Sequence, residues 1–149
     1  MKSFVKGACL LALMAPMATL AADEPPKSAS CYQLRYSDEI LDRYPMAPAI
    51  CEEVVVKDGV RYARMDGTVV GRDKDVITVG FKNVFGTKVM DLAVQPAPDS
   101  TLTMNGKEIK WAGVKRGDSI TFYLPERAFG FVTSPGIDEP LKPVPLKSK

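Results

Sequence analysis

Cys31 and Cys51 are the residues whose type and spacing specify chemistry most directly. The third cysteine, Cys9, falls inside a segment that reads as a secretory leader. Lys2 and Lys6 make its positive start, Ala8 to Met14 its apolar run, and Thr19-Leu20-Ala21 fits cleavage after Ala21 or Ala22. The apolar run breaks at Pro16 and is shorter than the ~20 residues a membrane span needs. Removing the leader leaves an even pair of cysteines in an oxidising compartment, which points to a Cys31–Cys51 disulfide. Closing that loop is worth about 3 kcal/mol on the chain-entropy account. The alternative is a thiol pair for redox or metal work, but neither cysteine sits in a Cys-x-x-Cys motif.

The chain has no histidine, so a Ser or Cys nucleophile would lack its usual base. Asp73 and Asp75 could form a carboxylate pair, but a polar turn suits solvated acids better than a raised pKa. That turn also lacks the further oxygen ligands and the glycine of a calcium loop. Asp118 beside Gly117 reads as a turn residue, and Glu126 with Arg127 as a surface pair. The mature methionines are Met46, Met65, Met90 and Met104. Met90 and Met104 fall on apolar strand faces, where a thioether fills core, with a Cu(I) site as the alternative. The expectation is no catalytic residue, no resident metal and no cofactor.

A mixed aromatic and basic set remains: Arg61, Tyr62, Arg64, Lys82, Phe85, Lys110, Trp111, Lys115, Arg116 and Tyr123. On a small barrel these side chains could line one ligand face, rings stacking and cations holding anions. The face expected from them comprises Arg61, Arg64, Lys82, Lys110, Trp111, Lys115, Arg116 and Tyr123. The competing account has Tyr62, Phe85 and Trp111 filling or capping the barrel while the cations are solvated. The whole chain carries 20 Lys+Arg against 18 Asp+Glu, and Lys2 and Lys6 leave with the leader. A neutral mature protein has no electrostatic case for nucleic acid or an anionic membrane as its main partner. An anionic envelope component or a protein partner fits the compartment better.

The elements that must position these groups are mostly strands. Ser37-Asp38-Glu39 before Ile40-Leu41 predicts a short helix that Pro45 and Pro48 stop, followed by an extended stretch from Tyr44 to Ile50. Val54 to Val56 and Val60 to Met65 predict a hairpin around Asp58-Gly59. Gly67 to Arg72 continues or restarts its second strand, with Gly67 or Gly71 free for a bulge. Further strands are expected at Val76 to Phe81, Lys88 to Val94, either side of Asn105-Gly106, and Ser119 to Leu124, with one more short strand at Phe129 to Phe131. Alternation points Ile77, Val79, Met90, Leu92, Ile109, Ile120, Phe122 and Leu124 inward. Thr78, Asp91, Lys110, Thr121 and Tyr123 point outward.

Three stretches resemble small exported bacterial proteins of OB-fold type. They are Asp66-Gly67-Thr68-Val69-Val70, Val76-Ile77-Thr78-Val79, and Val114-Lys115-Arg116-Gly117-Asp118-Ser119-Ile120-Thr121-Phe122. A similar order of motifs occurs in the periplasmic copper/silver chaperone family, and the resemblance covers under half of the chain. It implies an OB-like barrel and, in that family, a copper site of thioethers and an imidazole under a Trp. This chain departs from that site, having no His and no Trp-x-x-Met-x-Met cluster.

The expected architecture is therefore all-β: a small OB-like closed or partly open barrel with a short N-terminal helix and an extended C-terminal tail. Its parts are a leader (1–22), a disulfide-tied segment (23–51), the barrel (52–133) and a Pro-rich flexible tail (134–149). The expected role is a non-catalytic binding or accessory module, periplasmic or secreted, acting on an envelope ligand or protein. Copper handling is the alternative and an enzyme the second alternative.

Overall fold

The computed structural model describes residues 31–136 and 140–146. The expected leader and its cleavage site lie outside the described residues. After a 3-10 turn at Cys31–Gln33 come two short helices, α1 (Asp38–Arg43) and α2 (Ala47–Ile50). The strands follow: β1 (Glu53–Lys57), β2 (Val60–Asp73), β3 (Val76–Lys82), β4 (Lys88–Val94), β5 (Thr101–Met104), β6 (Lys107–Lys110), β7 (Ser119–Pro125) and β8 (Pro143–Val144). The all-β architecture and the short N-terminal helix are as the sequence predicts.

Ser37 caps α1, its hydroxyl accepting the Ile40 N–H at 3.3 Å. The stretch expected to be extended from Tyr44 to Ile50 instead contains α2. Its Pro48 sits in the first turn, where the missing N–H would have no intrahelical partner, so this proline starts a helix rather than stopping one. The Cys31–Cys51 disulfide spans the segment, with Cα atoms 5.8 Å apart.

β2 organises the sheet. One edge pairs β1 through Val60–Arg64 and then β3 through Gly67–Asp73, while the other pairs β7 through Tyr62–Thr68, all antiparallel. The bulge falls at Val70, between the Val69–Val79 and Gly71–Thr78 pairs. Gly67 faces inward at the point where β3 comes nearest. A Cβ there would lie 2.4 Å from Val79 Cγ1 and 2.9 Å from Phe81 Cε1, so only glycine fits without repacking.

Among the described residues the ladders do not close into a barrel. β4 carries β8 on its far edge, and single bridges, Phe131–Leu141 and Tyr123–Val132, cross the gap back to β7. The expected short strand at Phe129 to Phe131 thus appears as isolated bridges. Within the segment read as a Pro-rich tail, Leu141 bridges Phe131 and Pro143–Val144 pair with β4, so this stretch is extended but also docked. β5 and β6 form a separate hairpin around Asn105–Gly106, both at positive φ, as at Asp58–Gly59. That is the conformation a two-residue hairpin turn of matching twist requires.

Ile77, Val79, Leu92, Ile120, Phe122 and Leu124 are buried as expected, and Met90 and Ile109 pack against the core while partly exposed. Lys110 is exposed, and Thr78, Asp91, Thr121 and Tyr123 are half-buried on the outer face. Phe81, Phe122, Phe131 and Tyr44 form a chain of ring contacts with centroids 5.9, 6.3 and 6.0 Å apart. That chain runs from the sheet into the disulfide-tied segment.

Candidate functional site

Several charged groups are engaged in holding the scaffold. Glu126, at the end of β7, accepts from Arg61 Nε at 2.9 Å, from Arg61 Nη2, and from the Arg35 N–H at 2.9 Å. Its carboxyl is held below the ordinary value, chiefly by the Arg61 hydrogen bond. On the outer face Arg64 donates to Glu53 Oε1 at 3.0 Å and Asp66 Oδ2 at 2.7 Å, with Glu52 at 3.6 Å. Thr121 donates to the other Asp66 oxygen at 2.6 Å, so this outward residue is tied rather than free. Glu52 is pushed up, first by desolvation and then by its acidic neighbour Asp66. Tyr36, whose hydroxyl donates to the Cys31 carbonyl at 3.1 Å, is pushed up to about 12 by burial.

The expected face is dispersed over several elements. Arg64 and Tyr123 are cross-strand neighbours on the outer face of β2 and β7, whereas Arg61 is committed to Glu126. Lys110 ends β6, and Lys115 and Arg116 lie exposed in the turn before β7. Trp111 is buried, opening a 3-10 turn (Trp111–Gly113). Arg72 holds that turn, its Nη1 donating to the carbonyls of Trp111, Ala112 and Val114 at 3.1 to 3.2 Å. Tyr62 is buried as well, its hydroxyl accepting the Gly136 N–H at 3.2 Å.

The methionines are spread too. Met65 is wholly buried, Met90 and Met104 pack on the core, and Met46 is exposed beside α2. Among the described residues no group of three or more His, Cys, Asp or Glu side chains is arranged to hold a metal ion. None of the described helices is long and apolar enough to cross a membrane. Trp111 walls two small cavities, of about 140 Å³ beside Phe131 and Leu141 and about 110 Å³ beside Pro96 and Pro98. A shallower hollow of about 330 Å³ lies between Arg43, Tyr44 and Val144 to Leu146.

Phe85 stands apart from the other aromatics. It is 88% exposed and its neighbour Val84 78%, both at the tip of the β3–β4 hairpin. The tip is closely hydrogen-bonded. The Asn83 side-chain oxygen accepts the N–H groups of Phe85 and Thr87, each at 3.0 Å. The Asn83 N–H donates to Thr87 O, and the Gly86 N–H to Asn83 O, both at 2.9 Å. Gly86 takes the positive φ that lets the chain turn back. The sequence set included Phe85 but not Val84. The legible signal was an apolar pair placed inside a turn, where polar residues are the rule.

Comparison with family models, with curated proteins and with solved structures finds no match for this chain.

Proposed function

We propose that this chain is an exported, non-catalytic binding module of the bacterial envelope, with an OB-like scaffold that presents the Val84–Phe85 hairpin tip to a partner. The observation that carries the reading is the exposure of Phe85 and Val84 on a turn whose backbone is held by four hydrogen bonds. An apolar pair held in water by a defined turn has the properties of a contact element. The Cys31–Cys51 bond supports export, because such bonds persist in oxidising compartments. The leader pattern over 1–22 supports it independently. Binding rather than catalysis is supported by the commitment of Glu126, Asp66 and Arg61 to internal ion pairs.

The test is to express the full chain in a bacterium with a photo-crosslinking residue at position 85, and at Lys107 of the β5–β6 hairpin as control. The expected mature protein begins at Ala22 or Asp23, lies outside the cytoplasm, and gives envelope adducts from position 85 but not from 107. An intact Met1 in the cytoplasmic fraction sinks the export reading, and equal adducts from both sites sink the role of the tip.

A further inference from the structure

We propose that the partner of the β3–β4 tip is an anionic lipid surface, which Phe85 and Val84 enter while Lys82 and Lys88 meet the headgroups. This rests on the binding-module reading above. The hairpin places the four residues on one short turn. Lys82 and Lys88 are paired in register at its base, and Val84 and Phe85 stand beyond them. Like charges set directly opposite each other cost stability. Lys88 relieves part of this through Asp91 at 2.8 Å, and Lys82 has no ion-pair partner among the described residues. An anion at the base of the tip would relieve the rest.

A bilayer fits this shape better than a protein does. A stable protein interface needs about 800 Å² from each partner, far more than two side chains on a protruding turn can supply. A lipid interface demands no matching contour. It takes up apolar side chains such as Phe at the headgroup–acyl boundary, with lysine stems lying along that boundary and their ammonium groups in water. Val56 and Val60, also exposed, flank the β1–β2 turn, which the antiparallel register directs toward the same end of β2. With 18 basic and 18 acidic residues expected in the mature chain, there is no long-range steering. The attraction belongs to the tip, and the contact is weak and reversible, as for a single short anchor.

Co-sedimentation of the purified mature protein with vesicles tests this, using phosphatidylcholine alone or mixed with phosphatidylglycerol. The wild type is expected to partition onto the mixed vesicles. Phe85→Ser should lower the partition coefficient about tenfold. Lys82→Gln should lower it about fivefold on mixed vesicles and leave phosphatidylcholine partition unchanged. Both residues are exposed, so unchanged denaturation midpoints verify that the variants are folded. No partition onto mixed vesicles, or partition indifferent to Phe85→Ser, overturns the lipid assignment. If position 85 then crosslinks to an envelope protein, the binding module stands with a protein partner. If neither lipid nor protein is contacted, both readings fall.

Discussion

Around Phe81, Phe122 and Phe131 the fold is held by ring contacts and by apolar side chains with no exposure at all. Between Cys31 and Cys51 the chain is held differently. Ile40, Ala47 and Ile50 are buried, but the fastening comes from one covalent bond, the Tyr44 ring against Phe131, and polar ties from Arg35 and Ser37 to the loop after β7. Burial in the sheet is shared among many side chains, so its stability responds mainly to lost volume. In the first segment a few atoms carry the attachment, so redox state and pH act on it selectively.

Truncation of the sheet core should have the largest effect. Phe122→Ala removes an inner ring of the aromatic chain and should cost about 3–5 kcal/mol, a large share of a domain's stability. A denaturant midpoint close to wild type would mean that the core is not organised around these rings. Replacing Cys31 and Cys51 together by Ser should cost about 3 kcal/mol. Hydrogen exchange should then rise mainly over 31–51 while β2, β3 and β7 keep their protection. Uniform loss across the sheet would erase the contrast between the two regions.

The third effect is smaller and depends on pH. Arg61 and the Arg35 N–H lower the folded pKa of Glu126 below its unfolded value near 4.5. The stability this supplies is present above that unfolded value and is lost as pH falls through the folded one. Glu126→Gln should cost about 1 kcal/mol at neutral pH, since Arg61 is a third exposed. The variant should also lose less stability than wild type as pH falls below the unfolded value near 4.5. Glu52 has a raised folded pKa, so it works in the opposite sense: Glu52→Gln removes a carboxylate whose ionisation the fold resists. Urea midpoints across the acid range would separate the two, and parallel curves for wild type and Glu126→Gln would refute the tie.

The smallest effect is expected at the tip. Phe85→Ser should change the unfolding free energy by less than about 0.5 kcal/mol, read from urea midpoints, because the ring contributes almost nothing to the buried core. A large loss would show that Phe85 packs in solution and is not held out to a partner.

The parts legible in the sequence are those fixed by neighbours along the chain. Asp58-Gly59 and Asn105-Gly106 announce their turns through the positive φ that few other pairs tolerate, and Ser37 marks the start of α1. Alternation alone places Ile120, Phe122 and Leu124 inward. What escaped depends on distant partners. Pro48 reads as a helix breaker unless α2 is known to begin one residue earlier. Trp111 packs in the core with residues distant in sequence, and its backbone carbonyl is held by Arg72, 39 residues away. Docking of Leu141 and Pro143–Val144 depends on free edges at Phe131 and β4 that no local pattern shows. The candidate site was half legible: Phe85 stood out as an aromatic, but its exposure is set by the Asn83 turn.

β1 has one strand neighbour, β2, among the described residues, so the run Val54-Val55-Val56 borders an open edge of the sheet. Such a run is the kind of template onto which another chain can add a strand. Its brevity and the charges at both ends work against that. Lys57 stands at one end, and Glu52 and Glu53 at the other, both drawn toward Arg64. The Arg64 cluster therefore has a second consequence, colloidal rather than conformational. By holding two carboxylates at the mouth of a valine edge, it discourages copies of the protein from joining strand to strand when they are crowded together.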